Sequence, residues 1–127
     1  MLFRSGGSDH VLATFTYTNG ALGAFYHLST NLIHTGSRSA PTAGLYHYTV
    51  TANNAKETTN TVSIGYHYVA TDASGAPLDA DGDGSPDCAE DLNGDGAVNS
   101  GETDWQDASD LGLKVWILRP RTSGTVP

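Results

Sequence analysis

The chain is short of almost everything that would tie a small protein to a nucleic acid or a lipid. Its 127 residues include only six Lys and Arg together. Phosphate recognition needs such cations in clusters, so neither a nucleic-acid nor an anionic-membrane partner is expected. No apolar run approaches the roughly 18 residues of a membrane-spanning helix. Cysteine occurs once, at Cys88, so no disulfide can form within the chain. The pattern G-x-S-x-G is absent, which leaves Ser29 and Ser63 without a nucleophile-elbow context. The opening Met1–Gly7 lacks the charged and apolar segments of a signal peptide, and the tail Arg119–Pro127 reads as a linker. Both ends fit an internal piece of a longer polypeptide, with residues 1–10 a ragged start and 119–127 leading into a following module.

What is plentiful is negative charge, and it sits in one place. The chain has 14 acids and a formal net charge of -8. Eleven of these acids (Asp79, Asp81, Asp83, Asp87, Glu90, Asp91, Asp95, Glu102, Asp104, Asp107 and Asp110) fall within residues 79–110, which contain no Lys or Arg. The remainder has three acids against six bases, or +3. The acidity is therefore a local device.

Residues 79–90 and 91–102 each fit the calcium-loop pattern D-x-[DN]-x-[DN]-G-x5-E. In the first loop Asp79, Asp81 and Asp83 would supply carboxylates and Ser85 its carbonyl. Asp87 would act directly or through water, and Glu90 would close the site with both oxygens. In the second the corresponding groups are Asp91, Asn93, Asp95, the Ala97 carbonyl, Asn99 and Glu102. Gly84 and Gly96 stand where the loop turns sharply. Calcium takes six to eight hard oxygens, and alternate positions of a tightly coiled loop present them inward. From the chain's own composition the pattern is expected by chance about 0.0006 times, and two abutting matches far less often. The competing reading is a flexible, acidic Gly-rich linker that holds ions only loosely.

Residues 11–72 read as β. Val11–Tyr17 alternates apolar residues with Thr, and Leu45–Thr51 and Val62–Val69 are short aromatic or β-branched runs between turn-rich segments. Tyr26-His27, Tyr46-His47 and Tyr66-His67 recur every 20 residues, a period that suggests stacked coils of a β-solenoid. A meander or sandwich is the alternative. Stacked coils would bring the three histidines within reach of a transition metal, although a packing ladder of Tyr and His accounts for them more simply. Within residues 103–118, Thr103 can cap a short helix over Asp104–Leu111, stopped by Gly112, and Leu113–Leu118 reads as a buried strand. Trp105 and Trp116 read as packing residues.

The head-to-tail D-x-D-G-D-G-x-x-D spacing, with no room for helices between the loops, resembles the thrombospondin type 3 repeat, in which the chain wraps a string of calcium ions. Dockerins use similar loops, but each is followed by a helix. Ala43–Val50, Ile64–Ala70, the acidic block and Asp110–Val115 together resemble a segment of very large secreted or surface proteins of environmental bacteria, placed after a right-handed parallel β-helix. The resemblance implies a mainly β fold: short strands like the last coils of a β-solenoid, then a calcium-wrapped irregular tandem loop, one short helix and a terminal strand. It also implies a structural or adhesive role at the cell surface or outside the cell. About two Ca2+ ions would be bound, and the partners would be neighbouring modules of the same polypeptide and extracellular polysaccharide. The alternative is the C-terminal part of a β-helix enzyme, a lyase or glycoside hydrolase, that calcium merely stabilises.

Overall fold

The structure, a computed structural model, describes residues 15–28 and 30–112. Residues 11–14 of the expected strand Val11–Tyr17, the expected strand Leu113–Leu118 with Trp116, and the linker at 119–127 lie outside the described residues. Regular structure is mainly β and comes in short pieces. Strands β1 (Tyr17–Gly20) and β2 (Gly23–His27) form an antiparallel hairpin that pairs Tyr17 with His27 and Thr18 with Tyr26. Two shorter strands, β3 (Tyr48–Thr49) and β4 (Tyr68–Val69), pair antiparallel in a second sheet. Two single-turn helices, α1 (Ala40–Ala43) and α2 (Asp87–Glu90), and a 3-10 turn at Thr30–Leu32 complete the regular elements. No helix among the described residues is long and apolar enough to cross a membrane.

The described residues form no closed solenoid. Both sheets are antiparallel, and the parallel contact among the described residues is one bridge between His27 and Thr51. The apolar runs at Leu45–Thr51 and Val62–Val69 shorten to two-residue strands because their backbones bond to several different segments. Glu57 N donates to the Tyr48 carbonyl at 2.8 Å, Thr58 N to Tyr46 at 3.1 Å and Ala70 N to His47 at 3.0 Å. Residues 32–40 run alongside residues 60–64, with Gly36 N on the Val62 carbonyl at 2.7 Å and Ala40 N on Asn60 at 2.8 Å. The backbone polar groups are thus satisfied by crossed turns instead of long ladders.

Tyr26 anchors the β part. Its ring is fully buried and stacks on Tyr68 at 4.3 Å, and its hydroxyl accepts from Leu22 N at 3.2 Å. Val50 and Ala70 are also buried. Burying an aromatic ring with its polar tip bonded explains why so small a core holds together. Beside it lies a polar cluster. Glu57 is buried, with Oε1 at 3.2 Å from His67 Nε2 and Oε2 accepting from Ser63 N at 3.1 Å. Ser63 Oγ in turn accepts from His34 N at 3.0 Å, which gives that buried hydroxyl a structural role.

The Tyr-His repeat does not become a ladder of equivalents. His27 and His67 share the Glu57 cluster, whereas His47 turns toward the acidic segment. The described residues place no three histidines together at metal-ligating distance. Burial lowers the His27 pKa, and the neighbouring His67 lowers it further. Burial would raise Glu57, but its bonds from His67 and Ser63 more than offset this and hold it below the ordinary carboxylate range. The two shifts act in one direction. A histidine kept neutral in the fold takes up a proton on unfolding below about pH 6.5, and a depressed Glu does so below about pH 4.3, so both contributions are lost as pH falls. The melting temperature is expected to decline from pH 7 toward pH 4. Glu57→Gln should flatten the lower part of that decline in a calorimetric series; an unchanged profile in the variant would contradict the assignment.

Candidate metal centre

The two abutting loops are built from one repeated piece of local chemistry. Asp79 Oδ1 accepts from Gly82 N at 2.8 Å and Oδ2 from Gly84 N at 3.0 Å. Twelve residues on, Asp91 Oδ1 accepts from Gly94 N at 2.7 Å and Oδ2 from Gly96 N at 2.6 Å. Asp81 Oδ1 takes Asp83 N at 3.1 Å, as Asn93 Oδ1 takes Asp95 N at 2.9 Å. Asp83 Oδ1 takes Ser85 N at 2.6 Å, as Asp95 Oδ1 takes Ala97 N at 2.8 Å. Short Asx side chains capture nearby amides and coil the backbone without helix or sheet. Gly84 and Gly96 have φ of 96° and 79°, in the left-handed region that a side chain disfavours.

In the first loop this coiling gathers charge. Carboxylate oxygens of Asp79, Asp81 and Asp83 lie within 4.8 Å of one another, and the three could hold a metal ion. Glu90, on α2, is buried and close enough to these three acids that burial and then Asp81, Asp83 and Asp79 raise its pKa. Its Oε1 accepts from Thr103 Oγ1 at 2.9 Å, while Oε2 is buried with no donor, as is Asp81 Oδ2. Buried carboxylate oxygens without donors carry a desolvation penalty that a cation removes. The donor set is all hard oxygen, which suits Ca2+ or Mg2+ and not a soft metal.

Asp87 is placed differently from its expected position facing the ion. Its Oδ1 accepts from Ala80 N at 2.6 Å and its Oδ2 from Lys56 Nζ at 3.2 Å, with His47 Nδ1 at 3.6 Å. In the second loop Asp91 is buried and bonded to His47 Nε2 at 3.0 Å. A carboxylate only accepts, so that nitrogen carries the proton. Burial lowers the His47 pKa and Lys56 lowers it further, against the pull of Asp91 and Asp87. Glu102 Oε1 accepts from Asn93 N at 3.1 Å and Oε2 from Asn99 N at 2.8 Å. Asn99 Nδ2 donates to both Asp95 oxygens at 3.1 Å and to the Ala97 carbonyl at 3.3 Å.

The expected helix over Asp104–Leu111 does not form; this stretch is a run of turns. Asp104 Oδ1 takes Gln106 N at 3.0 Å, and Asp107 Oδ1 takes both Ser109 N at 3.0 Å and Ser109 Oγ at 2.7 Å. Each Asp bonds the backbone just ahead of it and so competes with helical pairing. Thr103 does not cap a helix, because its hydroxyl is given to Glu90. Trp105 packs as expected: it is buried, with its ring 4.9 Å from His47 and 5.9 Å from Tyr46.

The clamp of His47, Lys56, Tyr46 and Trp105 was not assigned to the acidic segment from sequence. Lys56 Nζ lies 5.1 Å from the Trp105 ring centroid and 5.9 Å from that of Tyr46. One signal pointed there: Lys56 is the only Lys or Arg between Arg38 and Lys114. Beside the clamp, backbone meets backbone, with Tyr46 N on the Gly94 carbonyl at 3.0 Å. A Cβ on Gly94 would fall 2.2 Å from the Gly44 carbonyl oxygen.

No family model matches the chain, and no curated protein or solved structure matches it.

His47→Ala removes the proton donor to a buried carboxylate and part of the Trp105 packing, and is expected to lower stability by about 3 kcal/mol. Lys56→Met keeps the stem against the rings but leaves the buried Asp87 without its cation, for about 2 kcal/mol. Urea midpoints at constant slope measure both. Equal stability of His47→Ala and wild type would show that the clamp does not hold the segment.

Proposed function

We propose that the first loop binds Ca2+ and that the acidic segment is a calcium-dependent structural or adhesive element of a larger extracellular protein. Its partners would be the neighbouring modules of the same polypeptide. The observation that carries this reading is the convergence of Asp79, Asp81 and Asp83 to within 4.8 Å, beside a buried Glu90 whose Oε2 has no donor. The sequence supports it independently, since these residues occupy positions 1, 3, 5 and 12 of a calcium loop. Like the thrombospondin type 3 repeat it resembles, the segment has little apolar core of its own: Leu92 and Val98 are exposed. An ion would supply cohesion that apolar burial does not.

Ligand sites in extracellular modules have dissociation constants on the order of 10⁻⁴–10⁻³ M, matched to millimolar calcium outside cells. Binding to the folded chain alone stabilises it by linkage, about 2.7 kcal/mol when calcium stands 100-fold above the dissociation constant. Calcium is therefore expected to raise the melting temperature by several degrees, EDTA to reverse the rise, and Asp83→Ala to abolish it. A titration calorimeter that records no calcium heat with the wild-type chain would refute the proposal.

A further inference from the structure

The two loops share a sequence pattern and a turn geometry, yet their carboxylates have different partners. We propose that they are chemically inequivalent: the first loop is the cation site, and the second is closed by the protein's own donors and keeps its shape without an ion. This rests on the reading of the first loop as a calcium site and narrows it to one ion per chain.

The six carboxylate oxygens of the second loop each accept at least one N–H. Asp91 Oδ1 takes Gly94 N and Asp95 N at 2.7 and 3.1 Å. Asp91 Oδ2 takes Gly96 N at 2.6 Å and His47 Nε2 at 3.0 Å. Asp95 Oδ1 takes Ala97 N at 2.8 Å, Asp95 Oδ2 takes Asn93 Nδ2 at 3.2 Å, and Asn99 Nδ2 reaches both at 3.1 Å. Both Glu102 oxygens are held by backbone amides of Asn93 and Asn99 at 3.1 and 2.8 Å. In a calcium loop the residue at position 12 grips the ion with both oxygens. Both Glu102 oxygens would have to grip an ion while each already holds a backbone amide.

The contrast with the first loop is direct. At position 12 Glu90 has one oxygen on Thr103 and the other buried without a donor, and Asp81 also keeps a buried oxygen without one. Position 9 is Asp87 in the first loop and Asn99 in the second. Position 3 is Asp81 in the first and Asn93 in the second. These two amides replace negative charge with N–H donors that point at Asp95. The first loop thus carries five acids and the second three. Among the described residues, the acids that converge to ligating distance are those of the first loop.

The second loop has a different task, which is to dock the acidic segment. Gly94 carries the backbone contact to Tyr46, Gly96 lies against the Tyr46 ring, and Asp91 carries the bond to His47. Prefolded in this way, it presents the first loop at the surface.

The test is calcium titration calorimetry on the whole chain in three forms: wild type, Asp83→Asn and Asp95→Asn, which alter position 5 of each loop equally. Asn keeps the oxygen that accepts the Ser85 or Ala97 amide. One ion per wild-type chain is expected, with affinity weakened at least about tenfold in Asp83→Asn and changed by less than about twofold in Asp95→Asn, because ligand charge tunes such sites. Asp91→Asn should behave as Asp95→Asn does. Two ions per wild-type chain, or an ion lost in Asp95→Asn, would overturn the inequivalence while leaving calcium binding intact. No calcium heat with wild type would overturn both readings together.

Discussion

Eleven carboxylates within 32 residues that contain no Lys or Arg set the condition that the rest of the molecule must meet. A carboxylate drawn into a folded chain needs donors or a cation, since desolvation without either opposes folding. The nearest donors are backbone amides, and the segment is shaped by reaching them. Asp72, Asp79, Asp91 and Asp107 each take amides within two to five residues ahead. An α-helix commits its amides to carbonyls four residues back, so a segment that gives them to side chains coils into turns instead. The single-turn α2 survives where Asp87 and Glu90 bond Lys56 and Thr103 instead of the amides just ahead of them.

Local amides fix the shape of the acidic loops, but they do not fix their position. That falls to a few long-range contacts between the β part and residues 87–105. His47 bonds Asp91, Lys56 bonds Asp87, and Trp105 covers both through its ring. The His47–Asp91 contact is almost wholly removed from water and Asp87 is buried as well, so loss of either partner leaves a buried charge without its donor. The β part is therefore a support for the acidic part. Its antiparallel pairs are short because much of its backbone serves to hold residues 44–57 in place beneath the loops.

The tandem loops were legible in the sequence because their chemistry is local: position 1 bonds positions 4 and 6, and position 3 bonds position 5, in both repeats. The clamp was not legible, because His47 and Lys56 meet residues 44 and 31 positions away, and no periodicity encodes such a pair. The Tyr-His repeat drew attention to His47 for a reason the fold does not use, since His27 and His67 gather around Glu57 instead. At 104–111 the sequence offered a cap and a stop, but Asp104 and Asp107 act on their own turns, where side-chain capture of amides outweighs weak helix propensity. The mainly β character was readable from alternation. The extent of each strand was not, because strand length depends on which distant segment lies alongside.

The eleven negative charges of residues 79–110 are not offset by the +3 that the remainder of the chain carries. Screening confines exposed charges to a range of about 8–10 Å at ordinary ionic strength, so only contacts count. Among the described residues, the Lys or Arg in ion-pair contact with the acidic block is Lys56. Its charge reaches Asp87 on α2 and not the cluster of Asp79, Asp81 and Asp83. Amides satisfy hydrogen-bonding directions at those carboxylates but add no net charge, and Glu90 next to them remains pushed toward protonation. Only a mobile cation can change the sign of that local field. A divalent ion would do so while binding several oxygens at once, and the first loop is where Asp81 and Glu90 each keep a buried oxygen without a donor and where three carboxylates converge.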